Sequence, residues 1–171
     1  MKQIYFVLTD TGTVLSKIIK VFMKDKYSHV SLALDKNLMQ MYSFGRLNPY
    51  NPFYGGFVHE NVNEGTFKRF SNTKAKIIAL NITEKQYEIL KEELLKIKED
   101  RKNYKFNVIG LFGIYFNKKR NKNNYFYCAE FIKYITEKAD INLNLPKLVR
   151  PESFRTINDG KTIYKGLLKN Y

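Results

Sequence analysis

The chain has 171 residues and a mass of 20.3 kDa, enough for one compact core, so we expect a single domain over residues 1–171. Hydrophobic residues make up 44% and charged residues 27%, a globular balance that excludes intrinsic disorder. The formal net charge of +14 raises the question of a polyanionic partner.

The basic residues are spread along the chain, and only Lys118-Lys119-Arg120 with Lys122 forms a dense cluster, in an Asn-rich stretch that reads as a loop. No zinc-finger spacing or aromatic RNA-binding motif accompanies it, which disfavours nucleic acid. The loop reads as solvated, or as a surface that steers an anionic partner such as a lipid. One cysteine, Cys128, excludes an internal disulfide and a cysteine-rich zinc site. About five apolar residues precede Thr9, fewer than the roughly seven to fifteen of a secretory segment. The longest apolar run, residues 108–116, has nine residues, against about 20 for a bilayer span. We therefore expect a soluble, cytoplasmic protein.

In chain order, Gln3 to Leu8 reads as a buried strand and Thr9 to Gly12 as a turn. Thr13 could cap a helix in which Val14, Leu15, Ile18, Ile19 and Phe22 recur at helical spacing. Ser28 to Leu34 alternates like a strand, Asp35 to Asn37 is a turn, and Leu38 to Phe44 returns as a second strand. Gly45 to Gly56, with two prolines and three glycines, reads as a loop. Phe57 to Val62 and Thr66 to Phe70 read as a strand pair around Asn63-Glu64-Gly65, and Lys76 to Leu80 as a further strand. Thr83 with Gln86 makes a capping-box pattern ahead of a stripe of Tyr87, Leu90, Leu94 and Ile97. Helices follow over Phe106 to Phe116 and Ala129 to Lys138, then an irregular segment between Pro146 and Pro151. Asn158-Asp159-Gly160 turns into a last strand, Thr162 to Leu168. Hairpins with segregated helices make the class α+β.

Two side-chain types suggest chemistry. Cys128 follows Tyr125-Phe126-Tyr127 at the start of a helical stripe, where unpaired N–H groups favour a thiolate and an oxyanion. It fits equally well as a buried core thiol, among the most buried residue types. A thiol nucleophile needs a base, and the chain offers two histidines, His29 and His59, both in strand patterns. His29 heads its strand, where a side chain can line a cleft. Two histidines and one cysteine form no ligand cluster, so no metal is expected, and Thr9-Asp10-Thr11-Gly12 is no phosphate loop, so neither is a nucleotide cofactor. Asn51 to Tyr54 with Gly55 and Gly56 could shape a cleft wall or simply turn the chain.

Three segments resemble a known family. Tyr27 to Leu34 (YSHVSLAL) resembles the histidine strand of the circularly permuted papain-like proteins, a branch related to the NlpC-type peptidases and the lecithin:retinol acyltransferase group that includes the YiiX/YycO-like bacterial proteins. Phe126 to Ile132 (FYCAEFI) is similar to the helix start that carries that family's cysteine, and Val149 to Phe154 (VRPESF) to the segment after it. The order, histidine first and cysteine late, agrees. The resemblance implies an antiparallel sheet packed on helices, with Cys128 at a helix N-terminus as nucleophile and His29 as general base and acid. It also implies a third polar group that orients the imidazole on the next strand. That strand departs from the pattern: Ser43 is the first candidate, ahead of Tyr42 and Gln40, and Glu60 on a neighbouring strand is the alternative. Glu130 reads as a cap or ion-pair residue.

The implied activity is a cysteine hydrolase that cleaves an amide or ester through a thioester. Its substrate would be a small peptide, of γ-glutamyl or peptidoglycan-precursor type, or a lipid acyl ester, with no cofactor. The alternatives are an inactive binding module of the same fold and a basic protein that binds anionic surfaces through the Lys118 to Lys122 loop.

Overall fold

The protein is described by a computed structural model over residues 1–12, 25–48, 50–107 and 124–171. The apolar, β-branched start of the chain forms β1 (Lys2–Asp10) inside a six-stranded sheet. β1 is flanked by β2 (His29–Ala33) and β5 (Lys74–Ile82); β3 (Met41–Asn48) and β4 (Asn51–Glu60) extend the sheet beyond β2, and β8 (Lys161–Leu167) beyond β5. Every neighbouring pair in this sheet is antiparallel. A small separate pair, β6 (Lys105–Phe106) with β7 (Tyr125–Phe126), is parallel.

β1 reads as a continuous apolar run because both of its faces are covered. Phe6 and Leu8 face one core with Val30, Leu32 and Phe44, while Tyr5 and Val7 face another with Ala33, Met41 and Ile77. The first core is closed by helices α2 (Glu84–Glu99) and α3 (Cys128–Lys138) and by the 3-10 turn Pro151–Thr156. The second takes Phe67 from the short helix α1 (Gly65–Arg69). The architecture is α+β. Among the described residues no helix is long and apolar enough to cross a membrane.

The strongest sequence signal has its counterpart here. α2 starts at a complete capping box, with Thr83 Oγ1 accepting from Gln86 N at 3.1 Å and Gln86 Oε1 accepting from Thr83 N at 3.0 Å. Its buried stripe is Leu90, Leu94 and Ile97. Thr83→Ala removes one of these reciprocal bonds and is expected to lower stability by about 1 kcal/mol, measured by chemical denaturation.

Four expectations are corrected. Gly45 to Gly56 is not a loop: β3 runs on to Asn48 and β4 starts at Asn51, with Gly45 opposite Gly56 and Arg46 opposite Gly55. The glycines serve close approach rather than turning, since a Cβ on Gly55 would stand 2.7 Å from Phe106 Cγ and 2.9 Å from the Gly45 carbonyl. β4 is the sheet edge, where a proline such as Pro52 is tolerated. Thr66 to Phe70 is not a strand; the chain leaves the edge through Gly65 (φ +51) and winds into α1, with Phe70 N bonded to Thr66 O. β3 begins at Met41 rather than Leu38, because the Asp35 carboxylate caps Met39 N and Gln40 N (3.0 and 2.7 Å) and Leu38 takes φ 57. Phe106 belongs to β6, not to a helix. The rest of the helix expected to Phe116, the helix expected after Thr13 and the Lys118 to Lys122 cluster lie outside the described residues.

Candidate functional site

The site is assembled from the end of the sheet and one helix start. α3 is held by Phe131, Ile132 and Ile135, all fully buried, with Phe131 against Phe44 at 5.0 Å between ring centroids. That anchoring sets where the helix begins, at Cys128, with Tyr127 as its N-cap. The Tyr127 hydroxyl donates to the Val149 carbonyl at 2.9 Å, and the Glu130 carboxylate accepts from Tyr127 N (3.5 Å) and Asn107 Nδ2 (3.4 Å). Glu130 therefore sits as a cap on the helix start.

The segment after α3 ties this helix to the histidine strand. Glu152 Oε2 accepts from Lys26 N (3.1 Å) and Tyr27 N (3.4 Å), and Arg150 pairs with the buried Asp25 at 3.1 Å. The three segments singled out in the sequence thus meet at one place. His29 is the first residue of β2, at the sheet end, and its side chain is 20% exposed.

His29 Nε2 lies 2.9 Å from Glu60 Oε1. The other Glu60 oxygen accepts a hydrogen bond from the Ser31 hydroxyl. Cys128 at the start of α3 is close enough to the same ring to act on it by charge and hydrogen bonding. Because Nε2 is committed to the carboxylate, Nδ1 is the nitrogen left for the sulfur. Gly45 leaves the ring room, since a Cβ there would stand 3.3 Å from His29 Cε1.

The electrostatics follow from these neighbours. Burial works against an imidazolium at His29, but the Glu60 carboxylate and the Cys128 sulfur, by charge and hydrogen bonding, overcome it and raise its pKa to about 10. Burial likewise disfavours the charged Glu60, yet the His29 charge and hydrogen bonds from His29 and Ser31, with a smaller contribution from the nearby Ser43 hydroxyl, hold the carboxyl below its ordinary value. Ser43 Oγ is buried on the same face without a well-formed hydrogen bond of its own. Of the two candidates for the third position, the structure sets Glu60 against the ring and Ser43 beside it.

His59 stands apart from this cluster: it is exposed, bonded to the Met39 carbonyl at 2.8 Å and stacked on Tyr42 at 4.9 Å. Ser31 was not singled out by the sequence reading. Its signal was available, because two residues beyond His29 on a strand means the same face. Among the described residues no group of three or more His, Cys, Asp or Glu side chains could hold a metal ion. The arrangement can move one proton between sulfur and imidazole while a fixed carboxylate steadies the charged ring.

No protein-family model and no curated protein matches the chain. Fold and site together define an α+β protein with a Cys–His–Glu cluster at the end of an antiparallel sheet.

Proposed function

We propose that the protein is a cysteine hydrolase of the permuted papain-like kind, with Cys128 as nucleophile, His29 as general base and acid, and Glu60, steadied by Ser31, as the group that orients the imidazole. The observation that carries this reading is the Glu60 carboxylate 2.9 Å from His29 Nε2, with Cys128 near enough to act on the same ring. The antiparallel sheet, the order of histidine before cysteine and the meeting of the three family-like segments support it.

In the proposed cycle the proton shared by the pair rests on His29, whose raised pKa keeps the ring charged, and the sulfur attacks the carbonyl carbon. The resulting oxyanion is met by N–H groups at the start of α3. Collapse of the intermediate breaks the bond to the leaving amine or alcohol, which takes the proton from His29. A thioester remains on Cys128. Water then attacks it, gives one proton to His29, and releases the acid as the sulfur recovers its proton. Peptide-type amides and lipid acyl esters are the two substrate classes that the family resemblance suggests.

The test is alkylation of Cys128 by iodoacetamide at neutral pH. The wild type is expected to react about tenfold or more faster than His29→Ala, since an adjacent imidazolium stabilises the reacting thiolate. Equal rates in two folded proteins would remove the Cys–His pair from consideration.

A further inference from the structure

A second feature occupies the same end of the sheet. Asp10 is the last residue of β1, Lys74 the first of β5 and Leu167 the last of β8, and Lys26 and Tyr27 lead into β2. Together they line a cleft of about 620 Å³, with Lys165 on its wall. That volume suits a small-molecule ligand.

The charge around this cleft is unbalanced. Lys76, whose amine donates to the Arg155 carbonyl at 3.0 Å, stands directly opposite Lys165 across β5 and β8, an unfavourable like-charge register that an anion in the cleft would relieve. Lys76 is also held below its ordinary pKa by burial and by Arg155, Lys165 and Lys26, with Glu152 opposing them, so these cations are within electrostatic reach of each other. Lys74, two residues before Lys76 on the same face, adds a further charge. Against these five cations stand Asp10 and Glu152; Glu152 is already paired with Arg155 at 2.9 Å, and the neighbouring Asp25 is paired with Arg150 at 3.1 Å. No hydrogen bond or ion pair among the described residues engages the amines of Lys26, Lys74 or Lys165.

We propose that this cleft binds a phosphate monoester, and that the phosphate belongs to the substrate whose scissile carbonyl reaches Cys128. A dianion offsets the surplus charge better than a single carboxylate does, and lysines serve phosphate as flexible point charges. Thr9 on β1 is paired with Ala75, on the cleft wall, on one side and with His29 on the other. The backbones of Ala75 on the cleft wall and of His29 are thus about two strand spacings apart across the sheet end, roughly 10 Å. The assignment to substrate rests on the cysteine-hydrolase reading; the binding of phosphate does not.

The test titrates glycerol phosphate, by calorimetry at low salt, into wild type, Cys128→Ala and the double variant Lys74→Gln/Lys165→Gln. A parallel arm uses phosphatidylcholine vesicles with and without phosphatidic acid. Saturable one-site binding is expected in wild type and Cys128→Ala alike, weakened about tenfold or more in the double variant at unchanged melting temperature. Lysine-dependent binding of phosphatidic acid vesicles without binding of glycerol phosphate would assign the phosphate to a lipid headgroup. Binding in neither arm, or binding that the double variant leaves intact, overturns the proposal. Bound glycerol phosphate is also expected to slow alkylation of Cys128. If it binds and does not, the link to substrate falls and the cleft stands as a separate anion site. If instead alkylation ignores His29 while phosphate binds, it is the hydrolase reading that fails.

Discussion

Cys128→Ala is expected to abolish thiol-dependent hydrolysis of an activated ester such as p-nitrophenyl acetate, and His29→Ala to lower it by about 10² to 10⁴-fold. The two losses have different origins. Without the sulfur no thioester forms, so the burst of nitrophenolate disappears along with turnover. Without the imidazole the sulfur remains, but neither the proton removed from the thiol nor the one returned to the leaving group has a carrier. Cys128 is a small side chain at the first turn of α3, whose hold on the core comes from Phe131, Ile132 and Ile135. The alanine variant should therefore fold, which circular dichroism checks. Undiminished turnover in folded Cys128→Ala would sink the mechanism.

Glu60→Gln carries the largest expected effect on stability. It removes the carboxylate from a site where His29 and Glu60 side chains are only 20% and 11% exposed, leaving the imidazolium without its counter-charge. Breaking one partner out of a buried pair of this kind costs about 3–5 kcal/mol. The pH dependence has a definite sign. His29 is raised from an ordinary value of 6.5 to about 10, so its contribution is complete below 6.5 and is lost as pH rises through about 10. Glu60 is held below its ordinary 4.5, so its contribution is present above that value and is lost as acid protonates the folded carboxylate. The stability gap between wild type and variant is therefore expected to be widest between pH 4.5 and 6.5 and to narrow towards pH 10. Denaturant titrations across that range measure it. A gap that stays constant with pH would mean that Glu60 acts through packing alone.

What could be read from local sequence was what local physics decides. The capping box at Thr83 and Gln86, the stripe of Leu90, Leu94 and Ile97, and the doubly covered run of β1 each follow from spacing within one segment. The same holds for a cysteine at the start of an apolar helix stripe and a histidine at the head of a strand. Segments whose partners lie elsewhere in the chain are not legible in this way. Gly45, Gly55 and Gly56 carry turn-like composition, yet they are strand residues because backbone and the Phe106 ring approach them closely. Thr66 to Phe70 has strand-like residues, but beyond the sheet edge there is no ladder for them to join, and they close a helical turn instead.

The chemistry divides along the same line. The sequence by itself determined the inventory: one thiol, two imidazoles, and an order of elements that sets His29 and Cys128 on a strand and a helix start. Which carboxylate meets the imidazole depended on the pairing of β3 with β4, which puts Glu60 opposite Met41 and brings it to the face that holds His29 and Ser31. Strand register of that kind is settled by burying the apolar side of each strand against its neighbours, as Phe57 and Phe44 are buried here. It is a property of the whole sheet, and no window of the chain contains it.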